Sequence, residues 1–233
     1  MKIFDFFESL KCSHNNNDFD EKSIRAYTGE SKAFYLFNRA MRNFEQGLMS
    51  LAYFMGPLLF GLNKYVKDNP SFSLQKDMTL YRIINCSKLD FYSYKLNLNH
   101  IVCFPSITST SSKFIHFKPT SNANKVNNIN IHDEDILKVK MVFTYKHENG
   151  NKSPGIIIEN KKGHDGQYIS SCPDENEVIL FPFTFARITK IESSMENGNQ
   201  NQIIYLDIIN RKEYLDYTLR DNYEKRFLFD KLD

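Results

Sequence analysis

The stretch GQYISSCPDENEVILFPFTFARITKI, residues 166–191, runs from a polar loop into a long apolar segment. Asp174, Glu175 and Glu177 put three acids within four residues, and Val178–Phe181 then turn abruptly apolar. The β-branched and aromatic residues after Glu177 read as a strand. If the pleat begins at Glu175, Glu175 and Glu177 share one face, with Cα atoms roughly 6–7 Å apart at about 3.3 Å per residue, and Asn176 points the other way. Two carboxylates that close repel, so one pKa should rise unless a cation intervenes. That permits a division of labour, in which one carboxylate stays ionised beside a positive centre and the other takes a proton. Chemistry at the anomeric carbon of a sugar uses this logic, because its transition state resembles an oxocarbenium ion. A lone Glu-x-Glu is equally the mark of a solvated loop running into a core strand, so the rest of the chain has to decide.

The strand-like pattern recurs from residue 78 onward. MTLYRII (78–84), LNHIVCF (98–104), SITSTS (106–111), DILKVKMVFTYK (135–146), GIIIEN (155–160), EVILFPFTFARITKIE (177–192) and NQIIYLDII (201–209) are short β-branched and aromatic runs separated by turn residues. Before residue 78 the spacing is helical: Tyr35, Phe37, Ala40, Met41, Phe44, Leu48, Leu51 and Ala52 recur on one face, and Pro57 suits the first turn of a following helix. A helical third followed by a β-rich two-thirds predicts an α+β fold. Residues 1–20 read as an arm and polar linker, and residues 21–233 as one domain. Within it, 21–77 form a helical lobe, 78–210 a β core, and 211–233 a helical tail docking through Tyr214, Tyr217, Leu219, Tyr223, Phe227 and Leu228. Residues 119–135 form an asparagine-rich loop.

Composition narrows the function classes. The chain has 233 residues, 41% of them hydrophobic, enough for one sizeable core. A net charge of +2 without a basic, aromatic-interleaved run argues against a nucleic-acid partner. The four cysteines, Cys12, Cys86, Cys103 and Cys172, are far apart and form no C-x-x-C, which suits reduced thiols. The histidines show no metal-ligand spacing, and no metal is expected. Asp5 and Glu8 interrupt what a signal peptide would need as its apolar region. The run GLMSLAYFMGPLLFGL (47–62) is shorter than the roughly 18–20 residues of a membrane span, and Gly56-Pro57 divides it, so a buried helix pair is expected and no membrane role.

Two further features bear on chemistry. Arg82 interrupts the apolar strand Leu80–Ile84, where a guanidinium needs a partner; it is either a structural ion pair or an anion clamp, since its planar fork suits phosphate. In Ser109, Thr110 and Ser111, alternation puts both serines on one face. Such hydroxyls either satisfy local backbone or orient a neighbouring carboxylate. No G-x-S-x-G is present, which disfavours a serine nucleophile.

Taken in order, LYR at Arg82, SITSTS at Ser109–Ser111 and ENEVIL at Glu175–Glu177 resemble the arginine-specific mono-ADP-ribosyltransferases of the R-S-E class, which includes bacterial toxins and vertebrate ectoenzymes. The segment IRAYTGESKAFYLFNRAMR, with Tyr27, Thr28, Tyr35 and Asn38, is similar to the helical lobe of that family, so the likeness spans roughly residues 21–195. The resemblance implies the ADP-ribosyltransferase fold, an N-terminal helical lobe followed by a β-sandwich-like core of two packed mixed sheets. It implies NAD as substrate and a protein acceptor bearing a reactive arginine.

Residue by residue, the resemblance makes Arg82 the holder of the NAD phosphates, with the backbone of Ile83 at the nicotinamide where the family often has glycine. Ser109 positions the catalytic glutamate and the ribose, supported by Thr110 and Ser111. Glu177 stabilises the oxocarbenium as nicotinamide leaves, and Glu175 activates the acceptor arginine. Tyr168 lies in the target-recognition loop 164–174, and Phe114 or Phe117 stacks on nicotinamide. A monomer is expected, and the lack of the signal peptide and lipid-anchor tail of the vertebrate ectoenzymes favours a cytoplasmic enzyme or an effector delivered into a host cell by a signal-independent route. An NAD glycohydrolase using water as acceptor, or an inactive NAD-fold binding module, are the alternatives.

Overall fold

Alternating apolar residues from Leu80 to Ile208 assemble a mixed sheet against which helices pack. A computed structural model describes residues 16–29, 38–41, 48–114, 136–147, 153–163, 166–171, 173–196, 199–210, 213–214 and 228–229. Tyr35, Phe117, Cys12, Cys172 and the asparagine-rich loop lie outside the described residues.

The helices bounded within the described residues are α1 (Asn16–Thr28), α2 (Leu48–Asp68) and α3 (Lys88–Leu96). The strands are β1 (Met78–Ser87), β2 (Ile101–Phe104), β3 (Thr108–Ser111), β4 (Ile136–Tyr145), β5 (Gly155–Ile157), β6 (Glu177–Leu180), β7 (Thr184–Glu196), β8 (Asn199–Ile208) and β9 (Leu228–Phe229). They hydrogen-bond in the order β5-β6-β3-β1-β4-β8-β7-β2-β9. The pairs β4/β8 and β2/β9 are parallel and the rest antiparallel.

This ladder has two halves. β1 and β3 meet at the single Cα pair Tyr81–Ser111. Beyond that junction, alternate residues of β6 belong to different cores. Val178 and Leu180 pack with Leu80, Ile84, Met141, Phe143, Ile188, Ile204 and Leu206 of the larger half. Ile179 packs with Ile24 and Tyr27 of α1, Leu58, Leu62 and Tyr65 of α2, and Ile156 and Ile158. The expected mixed α+β architecture is present, but the two packed mixed sheets expected are joined into one nine-stranded ladder, because the short β1–β3 pairing links the two halves. Each fully buried side chain of this kind contributes about 1.5–3 kcal/mol.

Three expectations about single elements also need correction. Pro57 lies inside α2, which runs unbroken from Leu48 to Asp68 rather than as two helices. The proline forfeits one helical hydrogen bond, and burial of Leu58 beside it and of Leu62 and Tyr65 about one and two turns later offsets that loss. α1 starts at Asn16, inside the polar stretch read as a linker, because Ile24 and Tyr27 anchor the helix in the second core. At the C-terminus Leu228 lies in a strand paired with Val102, not in a helix. Tyr214 does dock, stacking on Phe185 with ring centroids 4.2 Å apart. Among the described residues no helix is long and apolar enough to cross a membrane.

Candidate active site

The site is built where β3 lies between β1 and β6. Antiparallel register sets Ser109 opposite Ile179 and Ser111 opposite Glu177. Four consecutive hydroxyls of β3 and its end then reach four consecutive residues of the neighbouring segment. Ser109 Oγ donates to Glu177 Oε1 at 2.9 Å. Thr110 Oγ1 donates to the Val178 carbonyl at 2.7 Å, and Ser111 Oγ to the Glu175 carbonyl at 2.9 Å. At Ser112 the backbone N–H and the hydroxyl both donate to the Asn176 carbonyl, at 3.0 and 3.4 Å, and the hydroxyl also reaches Glu159 Oε2 at 3.2 Å. A run that composition alone would place in a solvated strand end instead clamps the segment 175–178.

Arg82 leaves β1 from the face that also carries buried Leu80 and Ile84, and its Nη1 donates to the Ser109 carbonyl at 3.0 Å. Arg82, Ser109 and Glu177 therefore form one connected chain of hydrogen bonds, although they are distant in sequence. The guanidinium is half-buried and satisfied by a carbonyl rather than a carboxylate, which leaves its charge uncancelled by that contact.

The two glutamates are not alternate residues of one strand. Pro173–Glu175 is a single 3-10 turn, Asn176 adopts a left-handed backbone with φ +52°, and β6 begins only at Glu177. Asparagine tolerates this conformation because its short amide bonds locally, here to the Asp174 carbonyl at 3.0 Å. The result separates the carboxylates by environment: Glu175 is exposed, whereas Glu177 is 5% exposed. Burial pushes the Glu177 pKa up, the Ser109 and Ser170 hydroxyls pull it down, and the charge of Glu175 adds to the rise. The net direction is upward, so the carboxylate predicted to be perturbed is identified as Glu177.

The other sequence candidates are distributed around this centre. Ile83 is half-buried in β1 opposite Lys140. Phe114, 52% exposed, meets Tyr81 edge-on at 5.3 Å, with Lys140 Nζ 4.2 Å from its ring centroid. Tyr168 is exposed, and the ammonium of Lys162 lies 5.4 Å from its ring. In the helical lobe, Tyr27 OH donates to the Ile107 carbonyl just before β3 at 3.1 Å and accepts from Asn38 Nδ2 at 3.2 Å.

No protein-family model matches the sequence, and no curated protein matches it either. Solved structures do match the fold. The ADP-ribosyltransferase Vis in complex with agmatine aligns over 98% of this chain and 90% of its own, with TM-score 0.53 and 17% identity; Vis is a toxin from Vibrio splendidus. HopU1, an ADP-ribosyltransferase of Pseudomonas syringae pv. tomato, aligns over 87% and 83%, with TM-score 0.57 and 14% identity. Plx2a, an ADP-ribosyltransferase toxin from Paenibacillus larvae, aligns over 89% and 92%, with TM-score 0.52 and 15% identity. The fold is that of the ADP-ribosyltransferases.

Within this ADP-ribosyltransferase fold, two contributors to the site carry no signal in the sequence. Ser170 Oγ donates to Glu177 Oε2 at 2.9 Å, so a second hydroxyl, from a different element, holds the same carboxylate. Asn176 sets the direction of Glu175 through its φ. A serine in a polar loop and an asparagine between two glutamates are too ordinary to single out, and only the folded loop shows what they touch.

Proposed function

We propose that this protein transfers ADP-ribose from NAD to the arginine side chain of a protein, releasing nicotinamide. The observation that carries the reading is the convergence of Arg82, Ser109 and Glu177: the Arg82 guanidinium donates to the Ser109 carbonyl at 3.0 Å, and the Ser109 hydroxyl donates to the buried Glu177 carboxylate at 2.9 Å. Arg82 is assigned to the phosphates of NAD, where a bidentate cation is suited. Ser109, with Thr110 and Ser111 supporting its strand, presents Glu177 to the nicotinamide ribose. The backbone at Ile83 borders the nicotinamide, and Phe114 and Phe117 are the two aromatic candidates to stack on it. As the glycosidic C–N bond breaks, its electron pair leaves with nicotinamide, and the Glu177 carboxylate stabilises the positive charge developing on the sugar.

Acceptor activation falls to Glu175. An arginine guanidinium is a poor nucleophile because it stays protonated. The exposed Glu175 accepts its proton as the new C–N bond forms, with Tyr168 in the loop that meets the protein. Agmatine, which Vis binds, carries the same guanidinium group. Purified protein with labelled NAD and agmatine or arginine-bearing proteins tests this. The expected result is label on the acceptor together with released nicotinamide. Nicotinamide release without label transfer would make water the acceptor, and no release at all would refute both enzymatic readings. Glu175→Gln is expected to lose transfer to agmatine while retaining nicotinamide release.

A further inference from the structure

Tyr168 and Ser170, two residues apart, point opposite ways from one short loop: the tyrosine is 43% exposed and the serine 3%. The loop is a small hairpin. Lys162 pairs with Tyr168, the Gly163 N–H donates to the Gln167 carbonyl at 2.8 Å, and the Ile169 N–H donates to the Lys161 carbonyl at 2.9 Å. Helix α1 latches it. Arg25 Nε donates to the Tyr168 carbonyl at 2.7 Å, the Ser171 N–H to Thr28 Oγ1 at 2.8 Å, and Ser171 Oγ to the Arg25 carbonyl at 2.6 Å. On the other arm Gly163 lies against buried Glu21, where any Cβ would overlap the carboxylate. Glu21 is itself held by Arg25 Nη2 at 3.3 Å and by the hydroxyl of Tyr65 on α2.

We propose that Ser170 is a positioning residue for Glu177, held in register by the α1 latch, so that the loop presenting Tyr168 also supports the buried carboxylate. This rests on the reading of Glu177 as the group that faces the reacting sugar. One donor leaves a carboxylate free to turn about that contact. Donors on both oxygens, from β3 and from the hairpin, fix its plane. Each hydroxyl also favours the charged form that burial opposes. The groups acting on Glu177 are Ser109 from β3, Ser170 from the hairpin and the charge of Glu175 from the preceding turn, with Arg82 behind the Ser109 carbonyl. Displacement of Tyr168 by an acceptor would therefore be felt at Glu177 through two residues of hairpin.

The test is carbon-13 NMR titration of the Glu177 carboxyl in the full chain, assigned by its loss in Glu177→Gln. Ser170→Ala is expected to raise the Glu177 pKa in the same direction as Ser109→Ala, and Ser170→Thr, which keeps the hydroxyl, is expected to stay near wild type. Arg25→Ala is expected to shift it upward by less. In the nicotinamide-release assay, Ser170→Ala should lower kcat about 10-fold or more, the scale of a lost hydrogen bond to a charged group, with KM for NAD within about twofold. Should Ser170→Ala not fold, Ser170→Cys, similar in size but a weak donor, takes its place. A Glu177 titration unchanged in Ser170→Ala, while Ser109→Ala moves it, overturns the proposal. A shift in Ser170→Ala with none in Arg25→Ala overturns the latch. A wild type that releases no nicotinamide overturns the enzymatic reading, while the titration still decides the role of Ser170.

Discussion

The β4–β8 pair and the β3–β6 pair are made of opposite materials. β4 and β8 run parallel over seven paired positions, and their inward residues are almost all apolar: Val139, Met141, Phe143 and Tyr145 against Ile204, Leu206 and Ile208. What holds them is buried area, which is non-directional and tolerates exchange among residues of similar volume. β3 and β6 pair over four positions, and there hydroxyls cross from one strand to the backbone or carboxylate of the next segment. Those contacts are directional, and each serves one atom. The first pair supplies stability; the second supplies geometry at Glu177, and its sequence is correspondingly less free to change.

Substitutions can break this contrast. The largest effect belongs to the apolar pair: Phe143→Ala should cost about 3–5 kcal/mol of stability, read as a fall in the denaturation midpoint, with specific activity of the folded fraction retained. Glu177→Ala should leave the fold intact yet lower nicotinamide release by about 10²–10³-fold, the scale seen when a group stabilising transition-state charge is removed. Activity close to wild type in that variant would remove Glu177 from the chemistry. Asn176→Val should cost about 1–2 kcal/mol because a β-branched residue is forced to positive φ, whereas Asn176→Gly should be tolerated. In the valine variant transfer to agmatine should fall more than nicotinamide release, because Glu175 is the group redirected.

The smallest effect sharpens the comparison from the side of stability. The Glu177 pKa is raised in the folded state, chiefly by burial. The folded protein therefore holds that proton more tightly than the unfolded chain. The stabilisation this brings is fully present below the ordinary glutamate pKa of about 4.3 and is lost as pH rises through the folded value. At pH 8 the ionised carboxylate is a burden on the fold, so Glu177→Gln should unfold at higher urea than wild type, and the gain should vanish below about pH 4. A stability difference from wild type that is the same at pH 8 and below about pH 4 would show that Glu177 does not carry its charge against burial. On the proposed function, the same shift predicts an acid limb of nicotinamide release above the ordinary glutamate range.

Much of the fold was legible in the chain. The change from 3.6-residue to two-residue periodicity near residue 78 marks where helices give way to β1, because each element must turn its apolar side to a core. Element limits were less legible. Pro57 reads as a break, but α2 continues through it because the residues beyond bury well enough to offset one lost hydrogen bond. Leu228 reads as part of a helical face, but a strand edge at β2 was open to pair with it. Neither outcome can be computed from neighbours in sequence, since the compensating contact comes from elsewhere.

The site divides in the same way. Residue type and order determined that a guanidinium and a hydroxyl run exist on strand-forming segments and that two carboxylates lie at the start of another, because their chemistry does not depend on context. The tertiary structure alone decided their use. Antiparallel register set Ser109 beside Glu177, a left-handed Asn176 sent Glu175 outward while Glu177 stayed buried, and the hairpin latched to α1 added Ser170 to the second oxygen. The physical reason is that a hydrogen bond or a pKa shift depends on separation and burial, and for residues dozens of positions apart both are properties of the packed chain.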